Sequence, residues 1–143
     1  MYDLSKSVKP PKSMKPRGNQ HAFDMALQGI RSQGYVASIS EITESCAYRG
    51  DNECRCGVGW MIGDSNYHKD FEGRTVRGLI DSHFLDKYFD KVDTGLLMAI
   101  QYAHDECLQQ STESSTSIQT GARIFEQRMK YIAEQYRLKY TPV

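Results

Sequence analysis

No stretch of these 143 residues approaches the roughly 18 apolar residues of a membrane span, and no apolar run stands near the N-terminus as in a secretory signal. The sequence therefore reads as that of an intracellular, cytoplasmic protein with no membrane partner. Net charge is also missing, since Lys plus Arg and Asp plus Glu number 18 each. A neutral molecule has no global field to draw it to nucleic acid or membrane, and mimicry of DNA, which needs an acidic excess, is excluded. Phosphate-loop and dinucleotide glycine patterns do not occur. Asp64, Asp70 and Glu72 lack the alternating spacing and central glycine of a calcium loop, so they read as helix caps and solvated charge. His21, His68 and His83 are scattered without ligand spacing. Tryptophan occurs once and cysteine four times. Reducing cytosol disfavours disulfides, which leaves the thiols to packing or to metal coordination.

What is present describes one ordinary core: 39% hydrophobic and 25% charged residues. The charge is unevenly spread. Residues 1–19 carry Lys6, Lys9, Lys12, Lys15 and Arg17 against Asp3, and Pro10, Pro11 and Pro16 interrupt regular structure. This is a flexible basic arm. It reads either as a solvated tail or as a surface for phosphate or an acidic partner, although no aromatic residue is interleaved among the lysines for base stacking.

Residues 20–140 read as a single globular domain. Asn19 is placed to cap a helix at 20–33 whose apolar positions include Phe23, Leu27 and Ile30, and Gly34 suits its C-terminus. The segment after it has β-branched residues but also Ser38 three positions before Glu41, so a short helix and an extended link are both open. Val76, Ile80 and Phe84, with Leu79 and Tyr88, mark a second helix at 74–89. Asp93 caps a third, with Leu96, Leu97, Ile100, Ala103 and Cys107 on its apolar face. Residues 109–117 lie in a Ser/Thr-rich stretch without periodicity and read as a mobile connection. The last helix is the clearest, with Ile118, Ala122, Phe125, Met129, Ile132 and Tyr136 at steps of three and four.

Between the first two helices stands CAYRGDNECRCGVGWMIGD, residues 46–64, with three of the four cysteines and the tryptophan. It reads as two short strands, 47–49 and 54–62, joined by the polar turn GDNE, with Gly57 and Gly59 leaving room for a close neighbour. Four main helices around this two-stranded hairpin make an α-rich α+β fold. YRG, then RCGVGWMIGDSNY and FEG, resembles the motif of a family of small, uncharacterised tailed-bacteriophage proteins: C-x-Y-R, a turn, [KR]-C-[AG]-V-G-x-[LM]-I-x-D-x-x-Y and E-G. The likeness covers about residues 21–138, with IQYAHD at 100–105 as a further match; Cys54 and Cys107 fall outside the pattern. It implies a phage gene product that works on the host from within the host cytoplasm, and it implies no reaction or ligand.

Two chemical sets can be drawn from the residues. Cys46, Cys54, Cys56, His104 and Cys107 supply enough donors for a zinc ion, against which C-x-C is a poor match for the usual zinc spacing and buried thiols pack well beneath a helix. Cys56, His104 and Asp105 suggest a cysteine-dependent enzyme; neighbouring helical side chains point about 100° apart, however, which argues against Asp105 orienting His104. With catalysis thinly supported, binding is the favoured reading. Tyr35, Tyr48, Trp60, Tyr67 and Phe71 gather around the hairpin, and Trp, Tyr and Arg supply most interface anchors. Arg49, Arg55, Trp60, Tyr67 and Phe71 are thus the candidate contact patch for a host protein, unless Trp60 is core. The expected function is stoichiometric binding that inhibits a defence or transcription component. A nucleic-acid binder built on zinc or on Lys6, Lys9, Lys12, Lys15 and Arg17 is the alternative, and a homodimer through the last helix is open.

Overall fold

A computed structural model describes residues 8–41 and 45–143. Lys6 of the basic arm lies outside the described residues. Among the described residues four α-helices carry the fold: α1 Asn19–Ser32, α2 Val76–Asp81, α3 Thr94–Cys107 and α4 Ser115–Tyr136. Among the described residues no helix is long and apolar enough to cross a membrane.

The expected α+β architecture with a hairpin over 47–62 is corrected by this structure. The chain there crosses itself at one antiparallel bridge, Arg49 with Arg55, closed by the Gly50 amide on the Cys54 carbonyl at 2.8 Å. In place of a second strand come short 3-10 turns at Asp51–Glu53 and Gly59–Met61. The remaining ladder is two residues long, β1 Ile39–Ser40 against β2 Ser45–Cys46. The fold is therefore helix-rich, and among the described residues this ladder is its only sheet. The amides of Trp60, Met61 and Ile62 donate to the Cys56, Val58 and Gly59 carbonyls at 3.0, 3.0 and 3.2 Å, which leaves them no facing strand, and Gly59 lets this turn approach Tyr48, where a Cβ would stand 2.0 Å from the carbonyl oxygen.

Helix α1 begins one residue earlier than expected, and Asn19 does not cap it. Its side-chain Nδ2 donates to Asp93 Oδ2 at 3.0 Å while its Oδ1 accepts the Asp93 backbone amide at 2.9 Å, linking the N-termini of α1 and α3. Gly34, at φ +69°, closes α1 as expected, with the Gly34 amide donating to the Arg31 carbonyl and the Tyr35 amide to the Ile30 carbonyl at 3.1 Å each. The helix expected over 74–89 stops at Asp81. His83 takes φ +65°, and the His83 and Phe84 amides return to the Ile80 and Leu79 carbonyls at 3.1 and 2.9 Å. This is the helix-ending motif that glycine normally serves, built here on a histidine. Leu85, Phe89 and Val92 still reach the core from irregular turns, whereas Phe84 is 49% exposed.

The apolar faces of α3 and α4 are buried as their periodicity requires. Helix α4 starts at Ser115, capped by Ser114 Oγ on the Ser117 amide at 3.1 Å. Glu126 is its one buried charge. Arg31 of α1 meets it through two bonds of 2.9 and 2.7 Å, Tyr35 donates at 3.0 Å, and Tyr140 closes the set from the C-terminal tail. Every acceptor of the carboxylate is used, which offsets its desolvation. Glu126→Ala leaves Arg31 unpaired inside this set and is expected to destabilise the protein by about 3–5 kcal/mol in urea unfolding; a loss under about 1 kcal/mol would contradict it.

Candidate functional site

Residues 46–73 have little regular structure, so side chains hold them. The carboxylate of Glu72 accepts the Tyr48 amide at 2.9 Å and the Arg49 amide at 3.1 Å, and the Tyr67 hydroxyl donates to it as well. Burial and this carboxylate push the Tyr67 hydroxyl well above the usual phenol range, so it remains a donor. Gln33 performs the matching role from α1: its oxygen accepts the Arg55 amide at 3.0 Å and the Trp60 indole at 3.1 Å, and its nitrogen donates to the Arg55 carbonyl at 2.9 Å. Glu72, read from sequence as solvated charge, is thus an internal acceptor. Backbone clamps of this kind leave no spacing pattern in a sequence.

Trp60 is 8% exposed and lies flat on α1, where a Cβ on Gly29 would stand 2.2 Å from its Cγ. Phe71 is 5% exposed. The indole and the phenyl ring are therefore core, and the accessible members of the contact patch are Arg49, Arg55 and Tyr67. Arg49 lies over the Tyr67 ring at 4.4 Å and donates to the Ile62 carbonyl at 3.0 Å. Arg55 lies over the Trp60 ring at 5.0 Å and donates to Ser13 Oγ at 2.9 Å. Both guanidinium groups turn to Asp64 Oδ1, at 2.8 Å from Arg49 and 3.6 Å from Arg55. A groove of about 960 Å³ runs past them, and its other wall is formed by residues 10–15. Lys12 and Lys15 line this groove. Lys9, Lys12, Lys15 and Arg17 are exposed, with Lys15 paired to Asp90 at 3.3 Å. The two sequence-predicted surfaces, the patch and the arm, meet here.

The cysteines part company. Among the described residues, the group whose ligand atoms lie within 4.8 Å of one another is Cys46, His104 and Asp105; Cys54, Cys56 and Cys107 stand outside it. His104 is fully buried, and its Nε2 accepts the Ser38 amide at 2.8 Å. That bond places the ring proton on Nδ1, which donates to Asp105 Oδ1 at 2.8 Å. The objection to an adjacent His–Asp pair is corrected by this geometry: the two side chains meet despite their angular separation. Both ring nitrogens are thus engaged, Nε2 by the Ser38 amide and Nδ1 by Asp105, so a cation there would have to displace one of these bonds.

Cys46 and Cys56 line a second cleft of about 410 Å³ between α3 and residues 73–77. Cys46 is exposed at the cleft mouth, and partial desolvation with Asp105 beside it pushes its thiol up to about 11. Burial pushes the Cys56 thiol up to about 12, and its sulfur accepts the Gly59 amide at 3.2 Å. Nucleophilic cysteines need the opposite shift. The cleft therefore presents the Cys46 thiol to the Asp105 carboxylate, with the Cys56 thiol buried behind it, and not a thiolate.

Comparison with models of known families, with curated proteins and with solved structures finds no match to this chain.

A raised thiol pKa means less thiolate at any pH below it. At pH 8 Cys46 should carry roughly a hundredfold less thiolate than a cysteine at its ordinary value, and alkylate correspondingly slowly. Its rate should climb towards pH 11 and rise several-fold in Asp105→Asn, as followed by mass spectrometry of the labelled peptide. Rapid labelling at pH 7 would contradict the assignment.

Proposed function

We propose that this is a small phage accessory protein that acts by stoichiometric binding to a host protein, with the groove between residues 10–15 and Arg49, Arg55 and Asp64 as the docking face. The observation that carries the reading is the convergence of two arginines, each held against an aromatic ring, on one exposed acceptor. Fixed guanidinium groups lose little freedom on binding, so their hydrogen bonds add to affinity rather than offset ordering. The molecule's overall neutrality makes the attraction local, which favours a specific face over broad electrostatic capture.

One further observation favours a second reading. Lys12 and Lys15 flank the arginines, as they would to follow a phosphate backbone. Against it, Trp60 is the aromatic residue lining the groove and Arg55 lies over its ring, while Tyr67 is not among the lining residues and carries Arg49, so neither ring offers a base a stacking surface there. The protein reading is preferred for that reason.

Affinity capture from the host separates the two. Wild type should enrich one protein in near one-to-one amount, and Arg49→Gln/Arg55→Gln should lose most of it while keeping its helical circular dichroism. Equal capture by both would contradict the groove. Tight binding of a 20-nucleotide single strand that falls steeply with salt would instead establish the second reading.

A further inference from the structure

Asp64 sits in the groove in an unusual balance. Its side chain is 82% exposed, whereas those of Arg49 and Arg55 are 23% exposed. The arginines are fixed from behind, by the Ile62 carbonyl and Tyr67 on one side and by Ser13 and Trp60 on the other. Asp64 stands on the turn that follows Gly63, whose amide is held by the Tyr88 hydroxyl at 3.0 Å. The donors are thus rigid and the acceptor is free to turn to water. An exposed ion pair contributes little, so little is lost when this carboxylate leaves.

The two cations also need an anion between them. Burial, and then the neighbouring charge of Arg49, disfavour the charged form of Arg55, and Asp64 offsets part of that effect. Lys12 and Lys15 line the groove with them, and its acidic members are Glu53 and Asp64. The excess of positive charge, on donors whose aromatic supports are already covered, suits a carboxylate-bearing protein segment.

We propose that Asp64 is an internal plug: its carboxylate fills the Arg49–Arg55 fork until an acidic side chain of the partner protein takes its place. The inference rests on the groove reading above and adds the chemistry of the partner and the element it must displace. No bond is made or broken, and the exchange is of one carboxylate for another.

The probe is a fluorescein-labelled peptide of eight glutamates, followed by anisotropy at low salt with the full chain. Asp64→Asn should bind it about fivefold more tightly than wild type, the equivalent of an exposed ion pair of about 1 kcal/mol. Asp81→Asn removes the same charge from an exposed pair with Arg77 outside the groove and should change affinity much less. On peptide addition the side-chain Nε–H resonances of Arg49 and Arg55 should shift. The plug is overturned if Asp64→Asn gains no more than Asp81→Asn, if neither arginine signal moves, or if wild type and Asp64→Asn both fail to bind. Loss of binding in Arg49→Gln/Arg55→Gln without a special effect of Asp64→Asn would remove the plug and leave the groove. Unchanged binding in that double variant would remove the groove as well.

Discussion

The carboxylate of Glu72 is the contact on which the arginine groove depends. Residues 46–73 contain the last residue of β2 and three isolated 3-10 turns, so most of their amides lack a ladder partner. Buried amides need acceptors. Glu72 supplies them for Tyr48 and Arg49 and fixes Tyr67, the ring on which Arg49 rests. Charge-assisted bonds of this kind are stronger than neutral ones, and three of them share one group. Gln33 does the same for Arg55 and Trp60 from the rigid end of α1. Two side-chain clamps thus replace a sheet.

Packing makes those clamps possible. Gly57 lies against Ile100, where a Cβ would come within 2.6 Å of its Cγ2, and Gly29 lets the Trp60 indole lie on α1. The irregular segment is pressed between α1 and α3, while Glu126 ties α1 to α4 behind it. Its polar edges face outward at two places. One is the arginine groove, where fixed cations meet a loosely held acid. The other is the cleft at Asp105, where His104 and a protonated Cys46 surround a carboxylate. The first has its donors at the surface beside an exposed carboxylate, and the second has its donors directed inward.

The helices α1, α3 and α4 were legible because each buries one stripe of a 3.6-residue period, and a stripe is a pattern along the chain. The helix over 74–89 was not, because its break lies at Ser82 and His83, residues without the glycine that usually marks a left-handed turn. The hairpin was misread for a related reason: Gly57 and Gly59 do mark close approach, but to Ile100 and the Tyr48 carbonyl and not to a facing strand. At the groove, the concentration of arginine and aromatic residues pointed to Arg49, Arg55 and Tyr67. Glu72, Gln33 and Asp64 carried no such signal, since their partners are backbone amides and side chains distant in sequence. Asp105 was set aside on helical angles alone, and a short side chain beside a buried imidazole closes that angle.

Amide hydrogen exchange tests the central dependence most directly. In wild type the Tyr48 and Arg49 amides should be protected well beyond an open loop, and Glu72→Ala should release those two while α1, α3 and α4 keep their protection. Exchange of the two amides at the rate of an unstructured peptide in wild type, or no change in the variant, would contradict the account.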